Sequence, residues 1–274
     1  MLSLILAIFS SAAISLLMRL SESRSKSSLG MLAMNYLMCT ALSALFSPWG
    51  QLAARDLGVT ALFGLGNGVL YLASFALLQH SVRKNGVVLS GTFMKLGLLV
   101  TMAVSVCFFG EQPEPMQLVG FVLAVAAIVL INYQKGASSG GFRSGLLLLL
   151  FCGGMADAMS KVFEQLGPGG CEDPFLLFTF LTALALCLVL AKGQKPGVWD
   201  VVFGLGVGIP NFFSTRFLLL ALEALPGVVV FPVYSVGTIL VVTLAGVTLF
   251  RERLTSRRWL ALAMILAALV LLNL

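Results

Sequence analysis

The chain has 274 residues, 59% of them apolar and only 10% charged, with a formal net charge of +6. Soluble domains carry about 25% charged residues, so this composition excludes an ordinary soluble globule and leaves no room for a separate soluble domain. The basic excess is dispersed between apolar runs, not gathered into a patch for nucleic acid.

Apolar runs near 20 residues recur end to end, the length that crosses about 30 Å of hydrocarbon. They predict an all-α integral membrane protein with ten transmembrane helices, at residues 2–18, 29–46, 57–79, 86–109, 116–132, 144–163, 174–191, 198–222, 227–250 and 257–274. The first run lacks a preceding basic residue and a small-residue cleavage site, so it reads as an uncleaved helix and not a signal peptide. Loops after the odd-numbered spans hold thirteen basic residues: Arg19, Arg24, Lys26; Arg83, Lys84; Lys135, Arg143; Lys192, Lys195; and Arg251, Arg253, Arg257, Arg258. The other loops hold only Arg55, with Lys161 near the end of the sixth span. Basic loops face the cytoplasm, which places both termini on the non-cytoplasmic side of a cell membrane. Cys39, Cys107, Cys152, Cys171 and Cys187 have no C-x-x-C spacing, so neither a disulfide frame nor a metal site is indicated.

One stretch occurs twice. Phe63-Gly64-Leu65-Gly66-Asn67-Gly68 returns as Phe203-Gly204-Leu205-Gly206-Val207-Gly208, 140 positions later. Beyond a one-residue slip, Gly86-Val87-Val88 matches Gly227-Val228-Val229 and Glu111 matches Glu252, 141 positions on. This divides the chain into a first five-helix repeat at 1–134, a linker at 135–143 rich in Gly and Ser, and a second repeat at 144–274. Five spans is an odd number, so the second repeat must be inverted. The turn at 110–115 has no basic residue and its partner at 251–258 has four, as inversion requires. Halves related in this way can exchange conformations and open a central site to either side in turn.

Ionisable groups inside a bilayer cost at least ~2.5 kcal/mol at its centre, so each needs a reason. Lys95, in Thr92-Phe93-Met94-Lys95-Leu96-Gly97, lies about 13 Å into the fourth span at 1.5 Å per residue. It would meet an anionic substrate group, or pair with a carboxylate such as Asp157. Arg216 in span eight is a second candidate for substrate, near enough to the outer end to snorkel. Asp157 would neutralise Lys95 or Arg216, couple protons, or pair with Lys161 one turn away on span six. Asn67 and Tyr71 one turn apart on span three, Asn211 on span eight and Tyr234 on span nine would complete a substrate site. The competing role for the amides is hydrogen bonding between helices. Tyr36, Asn35 and Trp259 read as packing or interface anchors, and Lys161 as interfacial. The glycines of the repeated motif lack a strand-turn-helix context and read as close helix contacts, not a nucleotide loop. Pro210 and Pro232 suggest kinks, and Glu111 and Glu252 suggest helix starts. His80 is the only histidine, and no H-E-x-x-H, G-x-S-x-G or Walker motif is present, so the chain reads as no enzyme, without catalytic residues or cofactors.

Two inverted halves, each closing with an apolar span, a Gly110-Glu111 or Arg251-Glu252-Arg253-Leu254-Thr255 turn and another apolar span, resemble the drug/metabolite transporter superfamily, EamA type. The resemblance covers nearly the whole chain. It implies a central cavity lined mainly by spans one, three, four, six, eight and nine, on which Lys95, Asp157, Arg216, Asn67, Tyr71 and Tyr234 fall. Members include exporters of amino acids and other metabolites. Family members are often described with cytoplasmic termini, a departure from the charge bias here. The expectation is a secondary transporter of a small polar or amphipathic metabolite, amino-acid-like or an organic anion, working by alternating access as a monomer or homodimer. The alternatives are multidrug efflux, a non-transporting sensor or scaffold, and an enzyme acting on lipid-linked substrates.

Overall fold

The computed structural model describes residues 1–21, 24, 27–51, 53–85, 93–94, 96–132, 144–191, 196–248 and 256–272. Lys95, the linker and the turn carrying Glu252 lie outside the described residues. The helices are α1 (Leu2–Ser21), α2 (Ser28–Phe46), α3 (Ala54–Asn85), α4 (Leu98–Phe109), α5 (Pro115–Asn132), α6 (Ser144–Leu166), α7 (Glu172–Ala191), α8 (Val198–Leu222), α9 (Gly227–Thr248) and α10 (Ser256–Leu272), with a short 3-10 turn at Trp49–Gln51. Among the described residues, six stretches are long and apolar enough to cross a membrane: Ser28–Phe46, Arg55–Leu78, Gly145–Leu166, Glu172–Ala191, Val198–Leu222 and Gly227–Gly246. Shorter apolar helices cover Leu2–Met18, Leu98–Phe109 and Pro115–Leu130. Helices suit this setting because they satisfy their own backbone polar groups where no water is present. Pro210 and Pro232 sit inside helices that run unbroken through them.

Two compact units are built, and each draws on both halves of the sequence. The first comprises Met1–Leu72 and Met159–Ala224, that is α1, α2, the first part of α3, the last part of α6, α7 and α8. The second comprises Ala73–Ala158 and Leu225–Leu274.

In the first unit α8 is central, packing against both α1 and α2, while α2 also packs on α7. The repeated glycines decide how closely. A Cβ built on Gly204 of α8 would stand 2.5 Å from the Met31 carbonyl and the Met34 Cβ of α2, and 3.2 Å from Asn35 N. One on Gly208 would stand 2.8 Å from the Asn35 carbonyl and 2.5 Å from the Met38 Cβ. On α3, Gly64 stands in the same way against Phe178 Cβ, Phe175 O and Thr179 N of α7, and Gly68 against Thr179 O and Thr182 Cβ. The α2 positions 31, 34, 35 and 38 correspond one by one to 175, 178, 179 and 182, always 144 apart, so α3 meets α7 as α8 meets α2. Gly66 and Gly206 have nothing within 4 Å and take no part.

Caps fix the helix starts. Ser27 caps α2 by accepting from Gly30 N at 3.1 Å. The fully buried Asp200 accepts from Gly197 N at 2.8 Å and from Ser27 N at 3.3 Å, tying the start of α8 to that of α2. Arg24 lies 4.7 Å above the Trp199 ring. These contacts put the starts of α2 and α8 at one end of the unit.

The second unit has its core at Leu98, Ala124, Ala127, Ile128, Val236 and Ala268, from α4, α5, α9 and α10. Gly120 of α5 abuts Leu271 and Leu272 of α10. Gly97 and Gly154 bring the start of α4 and α6 into backbone contact. Gly110, at φ 65°, ends α4 in the left-handed conformation that favours glycine. Glu111 then accepts from Gly227 N at 3.0 Å and Val228 N at 2.9 Å. This carboxylate caps the N-terminus of α9, so its helix-start role is played at a helix distant in sequence.

Candidate functional site

The polar interior of the first unit is assembled at the two glycine seams. Close approach of α2 and α8 brings Asn35 and Asn211 together, the Asn211 amide donating to Asn35 Oδ1 at 3.1 Å. The Cys39 thiol donates to the Gly208 carbonyl at 3.3 Å, a carbonyl left reachable because glycine has no side chain. Thr215 donates to the Asn211 carbonyl at 3.1 Å and shares a 3.3 Å hydrogen bond with the Tyr71 hydroxyl. Tyr71 therefore links α3 to this paired group. Its ring meets Phe180 edge-on at 5.9 Å, and Phe180 stacks with the fully buried Tyr36 at 6.4 Å.

The α3–α7 seam is different. Asn67 is 0% exposed, and both its amide nitrogen and its carbonyl oxygen lack a protein partner among the described residues, as does the Thr179 hydroxyl. A buried unmet polar group costs about 1–3 kcal/mol. One turn to either side of Asn67 are aromatic contacts, Phe63 on Phe163 at 5.9 Å and Tyr71 on Phe180.

Arg216 does not stand alone. Its guanidinium makes a two-point pair with Asp173 at the start of α7, Nε to Oδ1 at 2.6 Å and Nη2 to Oδ2 at 3.0 Å, and lies 4.9 Å above the Phe46 ring. The planar fork of arginine suits such a carboxylate pair. Asp157 was one expected neutraliser of Arg216; Asp173 holds that place. Lys161 is buried and pairs with Glu164 at 2.9 Å.

A pocket of about 490 Å³ opens beside these groups, lined among others by Glu164, Glu172, Leu219 and Glu223. Burial, then the nearby Glu172 and Glu164 charges, push the Glu223 carboxyl above its usual range. Burial likewise raises the Cys171 thiol.

Of the residues expected from sequence, Asn67, Tyr71, Asn211 and Arg216 fall in the first unit, where Tyr71 reaches Asn211 through Thr215. Asp157 and Tyr234 fall in the second: Asp157 is exposed on α6, and Tyr234 is half-buried with its carbonyl accepting from Thr238 at 2.7 Å. Lys95 lies outside the described residues. Sequence reasoning missed Asp173 and treated Asn35 as packing only. The run Glu172-Asp173-Pro174 at a helix start was the available signal for the first.

Comparisons with known proteins agree with this architecture. The EamA-like transporter family model matches residues 1–133. An uncharacterised protein of Haemophilus influenzae is 26% identical over 213 residues, covering 74% of this chain and 72% of its own length. A solved crystal structure superposes with a TM-score of 0.78 at 14% identity, covering 98% of this chain and 94% of that one. At that identity the likeness concerns the fold.

Proposed function

From the match of residues 1–133 to the EamA-like transporter family, part of the drug/metabolite transporter superfamily, we propose that this membrane protein is a secondary active transporter. It moves a small polar or amphipathic metabolite, amino-acid-like or an organic anion, by alternating access between two inverted five-helix repeats of ten transmembrane helices. The observation that carries this reading is the reciprocal seam: the same glycines in each repeat grip the other repeat's second helix with the same atoms. Reciprocal grips of one kind are what two exchangeable halves need, because each half can adopt the other's conformation without new contacts.

In this reading Asn67, Tyr71, Asn211 and Tyr234 contact substrate, Lys95 meets an anionic group, and Asp157 balances charge or couples protons. Arg216 contributes by sharing its guanidinium between Asp173 and a substrate carboxylate. The position of Arg24 over Trp199, with Ser27 bound to Asp200, supports basic loops gathered at the cytoplasmic end and termini outside.

A thermal-shift screen of the purified protein tests the proposal. The panel holds amino acids, organic and phosphorylated anions, nucleosides, quaternary amines and lipophilic dyes, with Lys95→Ala beside wild type. Ligand binding to the folded state raises Tm. A rise with an anionic or zwitterionic solute that disappears in Lys95→Ala is expected. A rise with lipophilic cations alone, unchanged in the variant, would overturn the substrate class.

A further inference from the structure

Asn67 sits at the middle of the stretch Arg55–Leu78, about a dozen residues from either end. An amide there is beyond reach of either water surface, at about 1.5 Å per residue. It is fully buried, and among the described residues neither its donor nor its acceptor has a protein partner. An apolar side chain of the same shape would remove that penalty. The equivalent position in the second repeat, Val207, is apolar and buried. What distinguishes Asn67 is therefore a side-by-side donor and acceptor at mid-membrane depth, with Phe63 and Tyr71 one turn away on either side along α3.

The ion pairs of the same unit narrow the ligand. Arg216 is held by Asp173 and Lys161 by Glu164, so both carry their counterions within the unit. An ionic group brought to Asn67 would be stripped of water without gaining a full charge partner. A neutral planar group with an acceptor beside a donor would satisfy both amide atoms at once. We propose that Asn67 is the recognition point for a neutral carboxamide group of the transported solute. The inference rests on the transport reading, since a fully buried amide meets solute only when the α3–α7 seam opens. It specifies which part of an amino-acid-like molecule this seam reads.

The test uses paired isosteres on the purified full-length protein: L-glutamine against L-glutamate, and nicotinamide against nicotinate. Wild type is expected to gain Tm with the amide of each pair at concentrations at least tenfold below those needed for the acid, because a site built to hydrogen-bond both atoms discriminates strongly. Asn67→Leu is expected to erase that preference while raising the ligand-free Tm by a few degrees, as the unmet amide is removed. Equal shifts for amide and acid in wild type would overturn the proposal without any variant. A lower ligand-free Tm in Asn67→Leu would also overturn it, by showing a bound water only. Solute counterflow in proteoliposomes separates the two levels: transport without amide preference sinks this inference alone, and amide binding without transport of any solute sinks the transport reading.

Discussion

The two glycine seams of the first unit share their backbone geometry and differ in their polar contents. At α2–α8 each glycine contact is accompanied by a satisfied group: Asn35 with Asn211, Cys39 with the Gly208 carbonyl, Thr215 with the Asn211 carbonyl. At α3–α7 the same contacts surround Asn67 and Thr179, which lack protein partners among the described residues. Backbone approach is therefore set by the repeated sequence, and polar satisfaction by the residues that the repeats do not share. A satisfied seam is one a helix pair has no reason to leave. At an unsatisfied one, apolar and aromatic contacts carry more of the hold, and those are easier to exchange.

The strongest way to break the comparison is at Arg216–Asp173, which joins α8 of one seam to α7 of the other. Arg216→Ala or Asp173→Ala should lower stability by up to about 3 kcal/mol, because each leaves a largely desolvated charge without its partner. The double variant Arg216→Met with Asp173→Leu should recover most of that loss. Urea or thermal melts of the four proteins give the coupling energy, and additive losses would remove the pair from the account.

Next in size are the glycines. Gly204→Ala and Gly64→Ala each force a methyl against opposing backbone and should cost about 2 kcal/mol. Gly66→Ala and Gly206→Ala have open space and should be neutral or stabilising by up to about 1 kcal/mol through helix propensity. Four melts decide it. Equal effects within one motif would mean that the seams are not set by Gly64, Gly68, Gly204 and Gly208.

Asn211→Leu sharpens the contrast directly. It removes the amide donor to Asn35 Oδ1, which keeps only the longer 3.9 Å contact from the Cys39 thiol, and should cost about 1 kcal/mol, within the range for hydrogen bonds in membranes. Asn67→Leu should move Tm the opposite way. The same substitution with opposite signs at the two seams is the clearest signature of the difference.

The fold was readable because apolar length and the repeated motif are local signals. The boundaries 198–222 coincide with α8, while α3 (Ala54–Asn85) extends past both expected ends because Arg55, Asp56, Arg83 and Lys84 are charged yet helical. The glycines announced close helix contact, and Glu111 a helix start. What sequence could not supply was partnership across distance. Asn35 and Asn211 are 176 residues apart, and Arg216 and Asp173 lie on different helices 43 apart. Spacing along one helix favoured Asp157 with Lys161, and Lys161 also reaches Glu164, three residues on along the same helix, at 2.9 Å. Local periodicity locates a polar residue on its helix but does not choose its partner.

The smallest expected effect lies at the rim of the first unit. Glu223, just beyond α8, shares its pocket with Glu164 and Glu172, and burial followed by those two charges raises its carboxyl above the usual range. A carboxyl whose folded value is raised binds its proton more tightly when folded. Its contribution is therefore favourable at low pH and is lost as pH rises through the folded value. Wild type should accordingly gain stability relative to Glu223→Gln as pH falls from neutral towards the ordinary carboxylate range. At neutral pH the variant should be equal or slightly more stable, since it carries one fewer negative charge in an acidic pocket. Paired melts across that interval read the difference in slope. Parallel curves would show that Glu223 titrates as a free surface carboxyl.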